Sequence, residues 1–145
     1  MPTSADRVSN IVVQIIARNR LMRSGLRLFV ENWPGLTVAS EAESVGDACA
    51  MQRVPAPDVI VIDLDDDSIL HLAMLRSTYL ASRVVLLTHQ QQPADARLKN
   101  ASGLFCRHQA EHFLGPAIQA VHRGECWPHA GICHGLVCKV TTKDS

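Results

Sequence analysis

The stretch VIVIDLDDDSIL, residues 59–70, runs four branched apolar residues into Asp63 and then, past Leu64, into Asp65, Asp66 and Asp67. An unbroken run of this kind reads as a strand covered on both faces, as in a parallel sheet. A carboxylate at the end of such a strand is delivered to the sheet edge where sites form in open α/β folds.

Similar runs recur on either side. IVVQIIA (11–17), LTVAS (36–40), RVVLLTH (83–89) and GLFCR (103–107) read as four further strands. Between the first two, Leu21, Met22, Gly25, Leu26, Phe29, Val30 and Trp33 recur at helical spacing behind the N-cap candidate Asn19, and Pro34-Gly35 stops the helix. Ser44 caps a helix expected over 45–53 with Ala48, Cys49 and Met51 inward, and PAP at 55–57 breaks it. Another helix is expected over 69–80. QQQPADARLKN is polar and leaves room for a short helix at most. The last helix carries Phe113, Leu114, Ala117, Ile118 and Val121, with Pro116 awkward inside it. Five strands alternating with helices predict an α/β fold, a doubly wound parallel sheet. Asp63, Thr88 and Arg107 then share one rim.

The 145 residues suit one domain, and 47% apolar with 19% charged residues is ordinary for a globular chain. Fourteen basic and fourteen acidic residues cancel, which removes a global electrostatic case for nucleic acid or an anionic membrane. Arg18, Arg20, Arg23 and Arg27 cluster locally and read as the solvated face of a helix. No apolar run is long enough to span a bilayer and MPTSADRVSN lacks a signal-peptide core, so a cytoplasmic location is expected. Five cysteines in such a chain are free thiols by default.

Asp63, Thr88 and Arg107 at the ends of the third, fourth and fifth strands resemble the site of a response-regulator receiver domain. The resemblance is closest to the NarL/FixJ branch, through RLMRSGLRLFVENWPGLTVASEAES, APDVIVIDL, ASGLFCR and AIQAVHRGECW, and it covers residues 11–127. It implies a five-stranded CheY-like, flavodoxin-like fold and a phosphoacceptor at Asp63. In that family an acidic pair after the first strand binds Mg²⁺ together with the acceptor, while a lysine and a threonine hold the phosphoryl oxygens. An anionic nucleophile attacking an anionic donor needs such cations at close range.

Matched position by position, Asp63 and Thr88 are in place, Arg107 stands where the lysine belongs, and the acidic pair falls on Ala17 and Arg18. Arg107 keeps the charge and changes the geometry. Arg18 repels a metal and is expected to form a bidentate pair with Asp63, with Arg107 able to do the same from the other side. The aromatic switch position is Leu104. The third helix and the one between the fourth and fifth strands look shortened. Asp65, Asp66 and Asp67 read as a solvated acidic loop, since consecutive loop side chains diverge and Mg²⁺ demands octahedral oxygen ligands.

Residues 1–10 read as an N-terminal extension and 128–145 as a tail too short for a helix-turn-helix domain, so direct nucleic-acid binding is not expected. The tail carries Cys126, His129, Cys133 and Cys138, a set able to surround Zn²⁺ at a non-standard spacing. The expected function is an atypical, degenerate receiver. It is not an enzyme, holds no cofactor or Mg²⁺, and works by protein–protein contact as a homodimer or adaptor. The resemblance puts that contact on the last helix, where Phe113, Leu114 and Ile118 are candidates although they read more strongly as core, or on the face formed by the fifth strand and the helix before it. Two other readings stay open. One is a receiver phosphorylated at Asp63 by a histidine kinase, ahead of an output domain; the other is a zinc or redox module using the tail.

Overall fold

The computed structural model describes residues 10–51, 55–88 and 101–125. Five strands, β1 (Ile11–Ile16), β2 (Leu36–Ala42), β3 (Val59–Asp63), β4 (Arg83–Thr88) and β5 (Gly103–Cys106), form one parallel sheet in the order β2-β1-β3-β4-β5. The described helices are α1 (Arg20–Glu31), α2 (Val45–Met51), α3 (Asp66–Thr78) and α4 (Ala110–His122), the last preceded by a 3₁₀ turn over Arg107–Gln109. The sequence between β4 and β5 where a short helix was expected lies outside the described residues. No described helix is long and apolar enough to cross a membrane.

Local chemistry explains the boundaries. Asn19 Oδ1 accepts from the Met22 amide at 3.0 Å and Ser44 Oγ from the Asp47 amide at 3.0 Å, so both expected caps start their helices. Gly35 takes φ 86° in the turn into β2, a conformation open to glycine at little cost. All five residues of β3 are buried, as its unbroken apolar run requires. α4 runs through Pro116 because Leu114, Ala117, Ile118 and Val121 are fully buried and their packing outweighs the missing amide.

Three local expectations change. Met51 is 44% exposed instead of inward, although its Sδ still accepts from Gln14 Nε2 at 3.6 Å. Gln14 itself is fully buried in β1, and its Oε1 has no hydrogen-bond partner. α3 begins three residues earlier than the apolar spacing suggests, so Asp66 and Asp67 open a 13-residue helix instead of extending a loop. Acidic residues favour the first turn, where the helix dipole is positive.

α2 and α3 are tied together by Tyr79, whose buried hydroxyl donates to the Ala48 carbonyl at 2.8 Å. Tyr79→Phe is expected to cost about 1–2 kcal/mol, because it strands a buried carbonyl while keeping the ring. A urea titration checks this; an unchanged midpoint would mean the bond contributes nothing.

Candidate functional site at the carboxyl edge of the sheet

The parallel order brings the ends of β1, β3, β4 and β5 together. Asp63 is the last residue of β3 and is 7% exposed; Thr88 ends β4 and is 3% exposed. Ala17 follows β1, buried, with its amide donating to Ala42 O at 3.0 Å. Arg107 leaves the end of β5 at the start of the 3₁₀ turn, which aims its side chain back across the rim.

The guanidinium of Arg107 grips Asp63 with two bonds, Nε to Oδ1 at 3.2 Å and Nη2 to Oδ2 at 2.7 Å. Each carboxylate oxygen accepts one N–H. This fork-to-fork geometry is the strongest form of a charge-assisted pair. The Asp63 side chain is 7% exposed and that of Arg107 34%, so the bond sits at the boundary between core and solvent.

Arg18 does not reach Asp63. Its Nε donates to Asp65 Oδ2 at 3.1 Å, with side-chain exposures of 61% and 34%. The expected bidentate pair therefore forms from Arg107 alone. The reason is steric and electrostatic: Arg107 already covers both oxygens of Asp63, and Asp65 is the carboxylate nearer solvent, where Arg18 lies.

The other arginines of the cluster are not simply solvated. Arg23 is 12% exposed and donates from Nη1 to the carbonyls of Ala17, at 2.8 Å, and Arg18, at 3.4 Å. Its Nε lies 3.5 Å from Glu41. Arg27 bonds the other oxygen of Glu41 at 2.5 Å and pairs with Glu31 one turn along at 3.3 Å. The hydrogen bonds to Glu41 and then Glu31 push its pKa above the ordinary arginine value. Glu41, near the end of β2, thus anchors the β1–α1 loop through two cations. Sequence reading missed it, although an acid at the end of a strand that follows four arginines was the available signal.

Leu104 is buried in β5 opposite Leu86, a core position. Leu114 and Ile118 are fully buried, as their core reading expects, and are not available as contact residues; Phe113 is half-buried against the core. Among the described residues no three metal-ligating side chains converge. Cys126, His129, Cys133 and Cys138 lie outside the described residues.

The chain has counterparts among known proteins. Response regulator UvrY of Escherichia coli K12 is 28% identical over 121 residues, covering 79% of this chain and 56% of that protein. A LuxR-family two-component response regulator from Aurantimonas superposes with a TM-score of 0.77 at 24% identity, over 92% of this chain and 99% of that one. A LuxR-family DNA-binding response regulator from Silicibacter pomeroyi gives 0.68 at 26% identity, over 79% and 93%. The chain is similar to response-regulator receiver domains of the NarL/LuxR family. No family model matches the chain. The chain spans about half the length of the curated relatives it matches. The resemblance puts the acceptor position at Asp63 and the family's threonine at Thr88, with Ala17 and Arg18 where it implies the acidic pair.

Proposed function

We propose that this receiver works in signal transduction by protein–protein contact, without phosphoryl transfer to Asp63. The observation that carries the reading is the Arg107–Asp63 fork, 2.7 and 3.2 Å. A carboxylate whose two oxygens both accept from one guanidinium has a lone pair on each oxygen engaged and its charge compensated. It is then a poor nucleophile toward a phosphoryl donor.

The residues present do not fit Mg²⁺. The ion wants hard oxygen ligands in near-octahedral array. Asp63 gives its oxygens to Arg107, Asp65 gives one to Arg18, Ala17 offers no side-chain ligand, and Arg18 adds positive charge. The cations required to screen an incoming phosphoryl group are already paired with carboxylates of the same rim.

Incubating the protein with Mg²⁺ and acetyl phosphate is expected to leave its intact mass unchanged. A phosphate adduct that vanishes in Asp63→Ala would overturn the reading in favour of a phosphorylated receiver served by a histidine kinase. The combination Ala17→Asp, Arg18→Asp and Arg107→Lys, which rebuilds the family's ligand set and frees Asp63, is expected to gain the adduct.

A further inference from the structure

Gln14 is a buried polar side chain that the Asp63 rim does not use. It lies in β1 among Val13, Ile15 and Ile16, and all four are fully buried. Its Nε2 donates to Met51 Sδ at 3.6 Å, and a thioether sulfur is a weak acceptor. Its Oε1 has no partner among the described residues. A buried amide satisfied this poorly costs stability and calls for a reason.

A second unspent group stands beside it. The register of β1 on β2 shifts between Val13 and Gln14, which sets Gln14 opposite Ser40 instead of Ala39. Ser40 Oγ is buried and is likewise without a partner among the described residues. Side chains alternate along a strand, and the next residue, Glu41, meets Arg23 and Arg27 of α1. Ser40 therefore faces the other layer, where α2 packs on β2 and carries Met51.

Met51 is open to small molecules. It is the last residue of α2 and is 44% exposed, close to the 42% of Met74 on α3. Its sulfur accepts one N–H from Gln14 and keeps a second lone pair for an electrophile.

We propose that Met51 is an oxidation site whose sulfoxide is held by Gln14 and Ser40, with hydrogen peroxide as the oxidant class. The sulfur lone pair attacks one peroxide oxygen and the O–O bond breaks. The departing hydroxide takes the proton from the oxygen now on sulfur and leaves as water. Sulfur is oxidised by two electrons and the peroxide is reduced by the same two. In an ordinary core the new polar oxygen disrupts packing. Here the donors are already in place. The Gln14 N–H exchanges a weak acceptor for a strong one, and the Ser40 O–H gains an acceptor. Methionine is unbranched with three rotatable bonds, so small rotations bring the oxygen to them.

The sulfoxide ties the end of α2 to β1 and β2, and Tyr79 ties α2 to α3 through the Ala48 carbonyl. Peroxide thus firms the α2–α3 layer of the domain. Met51 and Gln14 take no part in the Asp63 pocket, and no phosphodonor enters the measurement, so either reading can fail alone.

The full chain is treated with dilute hydrogen peroxide and then with a thiol reductant, which restores reversibly oxidised cysteines. Peptide mass mapping is expected to find one added oxygen on Met51 at least as fast as on Met74. Urea titration before and after treatment is expected to show wild type gaining relative to Met51→Leu treated alike, a comparison that subtracts the other methionines. The gain is about fivefold in the unfolding constant, the size of one good hydrogen bond. Gln14→Leu, which keeps most of the volume and loses the amide, abolishes the gain, and Ser40→Ala reduces it by about half. Circular dichroism shows that each variant is folded. A Met51 that resists peroxide while Met74 reacts overturns the proposal. So does an oxidised wild type that gains nothing over Met51→Leu, or a gain that survives intact in Gln14→Leu or Ser40→Ala.

Discussion

Arg107→Ala is expected to lower the unfolding free energy by about 2–4 kcal/mol, a loss set by the carboxylate it leaves behind. Asp63 is 7% exposed and takes both of its described side-chain bonds from Arg107. Breaking a fully buried ion pair costs about 3–5 kcal/mol. Here the Arg107 side chain is a third exposed, so solvent screens part of the interaction and the lower figure applies. Arg107→Lys should be milder, about 1 kcal/mol, since an ammonium keeps the charge but replaces a two-bond fork with a point contact. The sign for the partner is equally diagnostic. Where an acceptor aspartate sits among other carboxylates, removing it relieves repulsion. In this rim Asp63→Ala instead strands a half-buried guanidinium and should destabilise the fold. Urea denaturation followed by circular dichroism measures all three. If Arg107→Ala unfolds at the wild-type midpoint, the fork holds nothing and the blocked-site reading loses its physical basis.

Gly115→Ala is expected to destabilise the domain by about 1–2 kcal/mol, even though alanine is the better helix former. A Cβ at this position would lie 2.6 Å from Cδ2 and Cγ of Trp33 and 2.9 Å from its Cε3. These atoms sit near the pivot of the indole, so the ring cannot yield by swinging its far end. Either the ring leaves its rotamer or α4 moves off α1. Helix propensity returns up to about 1 kcal/mol of the overpacking cost, which is why the net figure is modest. Trp33→Leu should largely remove the penalty, and the double-mutant cycle should show strong coupling because the two residues touch. A thermal melt that places Gly115→Ala at or above wild type would mean that Trp33 does not rest on this glycine in solution.

The class of fold was legible in residues 59–70 and their repeats. Period and length alone distinguish a doubly covered strand from an amphipathic helix, and Asn19, Ser44 and Gly35 marked ends that depend on local hydrogen bonds and φ. These are short-range properties, carried by each segment wherever it lies. The sharing of one rim by Asp63, Thr88 and Arg107 followed as well, because parallel strands joined by crossovers must end on the same edge.

Which arginine meets which acid was not legible. Arg18 and Arg107 are equally cationic on paper, and both stand within reach of the acceptor position. The choice depends on the 3₁₀ turn at Arg107–Gln109, which aims one guanidinium inward, and on the β1–α1 loop, which leaves the other at the surface beside Asp65. Arg23 and Arg27 likewise resembled a solvated face until β2 placed Glu41 against them. Ion pairing between residues 44 or 47 positions apart is set by direction over a few ångströms, and direction comes from the assembled sheet and its loops. Amino-acid order thus settled which carboxylates and cations reach the rim; three-dimensional packing settled that Asp63 is held by Arg107, because only there do orientation, burial and charge coincide.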